Sequence, residues 1–295
     1  MTNTENIPSN IISILEDLVE ESMNGNDTPE VNTQDIIEET NNVENTPATL
    51  QSNVGIIRTD INHARFSSAS WFESMKNIEI VLAGLGGIGS WVALLLSRLN
   101  IGYLTLIDID VVEAVNMAGQ CFRGKDINKN KTVACSDIIT EFSNYYKIRG
   151  SNTNIEDYCP IAPIMICGFD NMSARKSYYN SWKNQLNSIP EKALNKCLFI
   201  DGRMSAEFLQ IFCLTGNDVR NQKIYEDSYL FDSSQAENTV CSYKQTSYIS
   251  CMIASLISNL LINHVCNNTQ DVVIDRDLPF YTEYNAENLY LKTVI

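Results

Sequence analysis

The segment LAGLGGIGSW, residues 82–91, carries glycines with the spacing Gly84-x-Gly86-x-x-Gly89. Glycine has no Cβ, so this spacing lets a backbone turn approach a phosphate closely, and the N-terminus of a following helix stabilises the anion. An acidic residue about 20 positions after such a turn, here Asp108, binds ribose hydroxyls. The turn and this carboxylate predict a nucleotide site that fits both NAD and ATP.

The polar residues that follow favour ATP over NAD. The run DIDVVEAVNMAGQ, residues 108–120, adds Asp110, Glu113, Asn116 and Gln120 in quick succession. A nicotinamide site needs one acidic residue there and then apolar surface for the ring. Carboxylate and amide groups at the carboxyl ends of parallel strands suit a nucleoside triphosphate with Mg²⁺.

A lysine and a distant carboxylate complete the predicted site. Lys131 opens the next predicted helix, and Asp170 ends the third predicted strand. The carboxylate would hold Mg²⁺, and the metal and the lysine would neutralise phosphate charge. The two histidines lie outside these motifs. Attack of an ionised carboxylate on the α-phosphorus of ATP needs alignment and cations rather than a base, so these residues predict adenylation of a carboxylate.

Hydrophobic patterning predicts the elements that must position these side chains. The predicted strands cover residues 77–83, 103–108, 162–169, 196–202 and 207–214, and the predicted helices cover 88–99, 131–145, 173–186 and 246–266. Their alternation is typical of βαβ units in a parallel sheet. We therefore expect one α/β domain over residues 51–295, Rossmann-like, with a mostly parallel sheet and helices on both faces.

Residues 1–50 differ in composition from the rest of the chain. They hold eleven acidic side chains and no Lys or Arg, and so account for most of the net charge of −15. Their scarcity of aromatic residues predicts a disordered acidic tail, in which residues 9–23 have the spacing of a short amphipathic helix. The negative charge disfavours nucleic acid as a partner.

Membrane and disulfide-rich classes are also disfavoured. The N-terminus lacks the pattern of a signal peptide, and the longest apolar run, residues 249–262, is short for a bilayer and predicts a buried helix. The nine cysteines form no C-x-x-C pair. This usage suits the cytoplasm and argues against a tetrathiolate zinc site.

Together these motifs resemble one known family. The glycine turn with the Ser that follows it, the run at 108–120, the lysine eleven residues beyond it and D-N-x-x-x-R at 170–175 are similar to the ubiquitin-activating superfamily, in particular its compact bacterial ThiF/MoeB/HesA branch. The resemblance covers residues 58 to about 266. It implies a homodimer that uses ATP and Mg²⁺ to adenylate the C-terminal glycine of a small ubiquitin-like or sulfur-carrier protein ending in Gly-Gly.

The resemblance also implies roles for single residues. Asp108 would bind the ribose, Lys131 the phosphate oxygens and Asp170 the Mg²⁺. The other implied nucleotide contacts are Gly84, Gly86, Gly87, Gly89, Asp110, Asn116, Gln120 and Asn171. Arg175, on the helix after this segment, has both a functional and a packing interpretation.

Departures from the family pattern concern arginines and zinc. Relatives have N-L-x-R-Q where this chain places Gly119, so an arginine that supports the phosphates is missing. Arg123 or Lys125 could take its place, or Arg123 could be a solvated loop residue. Arg65, or Arg58, could reach the active site of a partner subunit. The zinc-binding cysteine pairs of many relatives are absent, so we expect no metal besides Mg²⁺.

Two further residues concern the acyl substrate. Cys241 precedes the apolar helix at 246–266, where thiamine-pathway relatives have a functional cysteine, and Lys244 could lower its pKa. A packed small side chain is the other interpretation. Arg203 could meet the substrate carboxylate or a phosphate, or pair with Glu207.

The leading hypothesis is therefore ATP-dependent adenylation of a ubiquitin-like or sulfur-carrier protein, with or without transfer to a cysteine. A second hypothesis keeps the chemistry but changes the substrate to a peptide carboxylate or a tRNA-linked one. A third, prompted by Gly119, is a non-catalytic scaffold subunit of the same fold. An NAD oxidoreductase ranks last.

Overall fold

A single mixed sheet of eight strands organises the residues that the structure describes, which are 63–231, 245–269 and 275–295. The structure is a computed structural model. The strands are β1 (Glu79–Ala83), β2 (Tyr103–Ile107), β3 (Ile148–Ser151), β4 (Ile164–Cys167), β5 (Leu198–Ser205), β6 (Phe208–Thr215), β7 (Tyr281–Asn285) and β8 (Tyr290–Val294). The α-helices are α1 (Phe72–Met75), α2 (Gly89–Ser97), α3 (Lys131–Ser143), α4 (Met172–Gln185), α5 (Val219–Tyr229) and α6 (Ser247–Asn267).

The strand order places a switch point at β1. The order is β3-β2-β1-β4-β5-β6-β7-β8. The first five strands in this order, from β3 across β1 to β5, pair in parallel, and β5, β6, β7 and β8 pair antiparallel. The chain moves from β1 toward one edge and then returns to β4 on the other side of β1. In such sheets ligands bind outside the carboxyl ends of the strands at this point. The predicted Rossmann-like, mostly parallel sheet is confirmed.

Helices cover both faces of the sheet, as predicted. Along β1, Ile80 and Leu82 pack into one buried cluster with α2, α3 and α6, whereas Val81 and Ala83 pack into a second cluster with α4 and α5. This is the period-two alternation of a strand that is buried on both faces. Its apolar side chains stabilise the fold by roughly 1.5–3 kcal/mol for each fully buried one.

Helix α6 is the apolar helix that the sequence predicts as buried. By length and composition it could cross a membrane, but 61% of its most apolar window is buried within the fold. It packs against α2 and against β5 and β6. The apolar side chains of α6 therefore form part of the core of this structure.

Five elements were missing from the sequence-based prediction. One is α1, whose four residues are too few to show a helical period; the other four are β3, α5, β7 and β8. Each has a weak hydrophobic pattern: β3 is only partly buried, α5 is polar apart from a few contacts, and β8 is exposed at every position. Strand β7 buries Tyr281, Thr282 and Tyr284 but has a glutamate and an asparagine between and after them. These elements form because the central sheet offers them partners.

Some predictions lie outside the described residues. They are the acidic tail at 1–50 with its short helix, the spare Arg58, and Cys241 with Lys244. The domain boundary at residue 50 also stays a prediction.

Candidate active site

The glycine turn joins the carboxyl ends of the three central strands. The Gly84 N–H donates to Ile107 O at 2.9 Å, and the Gly168 N–H donates to Ala83 O at 2.7 Å. Gly84 has a φ of +84°, and a Cβ there would lie 2.6 Å from the carbonyl carbon of Gly168. A Cβ on Gly89 would collide with Gly84 O. Only glycine allows this convergence.

Asp108 anchors the turn from the end of β2. One carboxylate oxygen accepts the Leu85 N–H at 2.6 Å, and the other accepts the Asp110 N–H at 2.8 Å. Asp108 is buried, and this burial raises its pKa, although the charge of Lys131 and the two N–H groups act in the opposite direction. Each oxygen keeps a further lone pair, so ribose binding by Asp108 stays a prediction.

Lys131 stands beside this anchor at the first position of α3. Its Nζ lies 2.8 Å from Asp110 Oδ2, and its N–H donates to Asp110 O at 2.9 Å. The lysine side chain is 9% exposed, whereas that of Asp110 is 62% exposed. The structure thus brings together Asp108, Asp110 and Lys131 next to the glycine turn. The ammonium is held at a helix N-terminus, where an anion is already favoured.

The segment between Asp110 and Lys131 is fastened to the start of α2. Trp91 Nε1 donates to Gly119 O at 3.0 Å, and the Cys121 N–H donates to Ser90 Oγ at 3.0 Å. Asn116 is half-buried, and its Oδ1 accepts the Glu113 N–H at 2.8 Å. This contact orders the segment locally.

Gln120 presents an unpaired buried oxygen to the same region. The side chain is buried and its Nε2 lies 4.0 Å from where a Cβ on Gly86 would be. Its Oε1 has no hydrogen-bond partner among the described residues. A buried carbonyl without a partner costs free energy, so this atom is suited to receive a donor from a ligand.

Asp170 lies on the opposite side of the glycine turn, beyond β4. It is exposed and makes no hydrogen bond or ion pair with any residue that the structure describes. Asn171 caps α4, because its Oδ1 accepts the Ala174 N–H at 2.8 Å. The Asn171 side chain is thus engaged in capping α4, while the Asp170 carboxylate makes no hydrogen bond with the described residues.

Arg175 fixes the loop that carries Asp170. It is buried and donates to Phe169 O and, at 3.2 Å, to Gly202 O, and it forms an ion pair with Asp201. Burial lowers its pKa. Of the two interpretations of Arg175, packing is the one seen in its contacts. Arg175 therefore ties the loop that carries Asp170 to strand β5.

The partner of Arg175 is an acid that the sequence analysis missed. Asp201 is fully buried on β5 and also accepts from Arg203 Nε and from the Tyr225 hydroxyl, each at 2.8 Å. Arg203 therefore pairs with Asp201 and not with Glu207, which instead accepts from the Tyr248 hydroxyl. An acid directly after the buried run Leu198–Ile200 was the available signal.

Arg123 and Lys125, the two residues proposed to replace the arginine missing at residue 119, both pair with Glu141. Arg123 Nε lies 2.7 Å from Asp126, and its Nη1 pairs with Glu141. Glu141 is ten residues beyond Lys131 on α3, about 15 Å along the helix axis. The guanidinium of Arg123 thus points away from Lys131. Arg65 is exposed ahead of α1, and its role toward a partner subunit stays a prediction.

Burial raises the pKa of all eight cysteines in the part of the chain that the structure describes. For Cys121, directly after Gln120, the pKa rises to about 11. A thiol with a raised pKa is a poor nucleophile at neutral pH because little of it is ionised. The described cysteines therefore behave as packing residues.

The family of the chain follows from a comparison that covers most of its length. A model of the ThiF family matches residues 58–290. The chain belongs to the ThiF family. The match includes the glycine turn, the segment around Lys131 and the Asp170 loop, and it continues through β7 to the start of β8.

Known relatives match this ThiF-family chain over shorter stretches. The ubiquitin-like modifier-activating enzyme 5 of Dictyostelium discoideum is 37% identical over 84 residues, which are 28% of this chain and 22% of the relative. The NEDD8-activating enzyme E1 catalytic subunit of Caenorhabditis elegans is 27% identical over 110 residues, 36% of this chain and 26% of the relative. The chain thus spans about a quarter of the length of these curated relatives.

Among solved structures, MccB of E. coli crystallised with ATP shares the fold. The TM-score is 0.54 at 17% sequence identity, and the match covers 76% of this chain and 65% of MccB. At this identity the likeness establishes the fold of the ThiF-family chain, and it agrees with the switch-point architecture described above.

Proposed function

We propose that this chain binds ATP and Mg²⁺ at the glycine turn and adenylates the C-terminal carboxylate of a small ubiquitin-like or sulfur-carrier protein. The observation that carries the proposal is the asymmetry around the turn. On one side Lys131 is held beside Asp110, and on the other side the exposed Asp170 carboxylate makes no hydrogen bond or ion pair with the described residues. One group is suited to phosphate, the other to a metal.

The donor set fits Mg²⁺. Asp170 offers a hydrated carboxylate, and Mg²⁺ usually keeps several waters while binding one or two carboxylates and substrate phosphates. Asp110 is exposed and near enough to Lys131 to share the same phosphate region. When bound, the metal supplies charge neutralisation on the phosphoryl oxygens.

The chain's own residues would align the reactants and offset charge. The N-terminus of α2 and the ammonium of Lys131 attract the triphosphate, and Asp108 keeps the turn in the conformation that exposes them. A substrate carboxylate oxygen forms a bond to the α-phosphorus while the bond from that phosphorus to the pyrophosphate oxygen breaks. The carboxylate is already ionised, so no side chain has to remove a proton.

The relatives support the choice of substrate. Two of them are named as activating enzymes for ubiquitin-like modifiers or NEDD8, and the MccB structure was obtained with ATP. Beyond adenylation, we propose that the Cys241 thiol attacks the acyl adenylate, so that a thioester forms and AMP leaves, because Cys241 precedes the apolar helix where thiamine-pathway relatives have a functional cysteine. A cytoplasmic homodimer in which Arg65 contacts the partner's site completes the proposal.

Exchange of radiolabelled pyrophosphate into ATP tests the proposal. We expect exchange that requires Mg²⁺ and a small β-grasp protein ending in Gly-Gly, tested from a panel, with each protein truncated by its last two residues as the matched control. Exchange with short peptides but no carrier would replace this substrate by a peptide. ATP binding without exchange against any carboxylate would favour the scaffold subunit and overturn the enzymatic proposal.

A further inference from the structure

The side chain of Gln245 lies against two segments of the proposed phosphate site, the glycine turn and residues 116–120. Gln245 pairs with Ala206 in a short parallel bridge just before α6 and is half-buried. A Cβ added to Gly87 would collide with Gln245 Oε1, and a Cβ added to Gly119 would lie 3.0 Å from the same atom and 2.8 Å from Gln245 Cγ. Gln245 therefore lies against the glycine turn and the Asn116–Gln120 segment at once.

A Cβ on residue 119 would meet the Gln245 side chain, whereas the backbone of Gly119 makes no demand for glycine. Gly119 has φ −127° and ψ −20°, where residues other than glycine are allowed. A larger residue 119 would require the Gln245 side chain to move. Where the sequence pattern led us to expect a cation, the structure thus has a neutral carboxamide.

The Gln245 carboxamide has unused hydrogen-bonding capacity. It makes no side-chain hydrogen bond with any residue that the structure describes. A carboxamide carries two N–H donors and one acceptor oxygen, and a phosphate oxygen accepts such donors without an added charge. Lys131 then remains the basic side chain that the described residues place next to the turn.

We propose that Gln245 is a phosphate-binding residue of this site, a neutral donor to the triphosphate in the space left by Gly119. This inference rests on the proposed function. It adds a residue that follows β6 to a site otherwise built from residues 84–171, and it makes the charge of residue 245 a determinant of the preference for ATP over AMP.

Titration calorimetry of the full-length chain with Mg²⁺ and ATP, ADP or AMP tests the proposal. Gln245→Glu keeps the shape of the side chain but places a negative charge beside the phosphates. We expect at least about tenfold weaker ATP binding, with a smaller loss for ADP and the smallest for AMP. Gln245→Ala should weaken ATP binding about two- to fivefold, since it removes a neutral hydrogen bond. Asn288→Asp, in the exposed turn between β7 and β8, is the matched charge control and should change none of the three affinities.

Three outcomes would overturn the inference. Equal losses for ATP, ADP and AMP in Gln245→Glu would show a packing role only. Unchanged affinities would show that the side chain lies away from the phosphates. Tighter ATP binding in Gln245→Ala would show that Gln245 obstructs the site. If the wild-type chain itself binds no nucleotide, the proposed function has failed as well, and that result is distinct from the other three.

Discussion

Asp108 and Asp170 follow two parallel strands that flank β1, yet the structure uses them in opposite ways. Asp108 is buried, and both of its carboxylate oxygens accept backbone N–H groups, one of them from the glycine turn. Asp170 is exposed and has no hydrogen-bond or ion-pair partner among the described residues. Two carboxylates at similar positions in the sheet thus differ. Asp108 holds the glycine turn, whereas Asp170 makes no hydrogen bond or ion pair with the described residues.

The difference separates a residue that builds the candidate site from one whose carboxylate is available to a ligand. Burial disfavours the charged form of a carboxylate, so Asp108 is tolerated because two N–H groups and Lys131 compensate for lost hydration. Asp170 remains hydrated, and its carboxylate is held near the turn only through the loop that Arg175 fixes. A ligand cation can therefore bind Asp170 without breaking a hydrogen bond or ion pair to any described residue.

The largest expected effect is on activity, through Asp170. In Asp170→Asn we expect ATP–pyrophosphate exchange to fall by at least about 100-fold, because the metal-binding charge is lost. The free energy of unfolding, measured in urea, should stay within about 0.5 kcal/mol of wild type, as for exposed side chains without partners.

Asp157→Asn is the matched control for this change. Asp157 is another exposed aspartate, and its substitution should leave both exchange and stability unaltered. Exchange that persists in Asp170→Asn would remove the metal role, and a large loss of stability would show that Asp170 is a structural residue like Asp108.

A stability effect should come second, through Asp108. In Asp108→Ala the Leu85 and Asp110 N–H groups lose their acceptor, and we expect destabilisation of about 2–4 kcal/mol in urea unfolding. Asp108→Asn keeps one acceptor oxygen and should fall between alanine and wild type. If both variants unfold like wild type, the anchoring role assigned to Asp108 is wrong.

Much of this fold was predictable because its central strands have strong local patterns. Strands β1, β2, β4, β5 and β6 and helices α2, α3, α4 and α6 all fall within or close to their predicted ranges. Strand β3, the edge strand β8 and the polar helix α5 were not predicted, since their sequences bury little apolar surface on their own. Their formation depends on neighbours that are distant in sequence.

The site was predictable to the extent that its residues are close in sequence. The glycine turn, Asp108, Asp110 and Lys131 lie within 50 residues and do converge. Gln245 and Asp201 were not found, because their roles arise from contacts with Gly119 and Arg175 that no spacing encodes. Arg123 shows that closeness in sequence does not ensure contact. It lies near Gly119 in the sequence, but its guanidinium pairs with Asp126 and Glu141.

The smallest expected effect concerns a third carboxylate, Asp126, which holds Arg123 and Lys129 ahead of α3. Its burial opposes ionisation, but hydrogen bonds from Arg123 and Lys129 outweigh that effect and lower its pKa to about 2 from the usual 3.8. Because the pKa is lower in the folded state, the charged carboxylate stabilises the fold above about pH 4, and this stabilisation is lost as the pH falls toward 2.

Asp126→Asn should therefore cost on the order of 2 kcal/mol at pH 7, and the gap between the two unfolding free energies should narrow in urea titrations at pH 5, 4 and 3. Asp157→Asn, measured in parallel, should show no gap at any of these pH values. A gap for Asp126→Asn that stays constant down to pH 3 would mean that shape and not charge makes Asp126 an anchor. Asp126 and Asp170 would then differ in burial only, and not in what their charges contribute to stability.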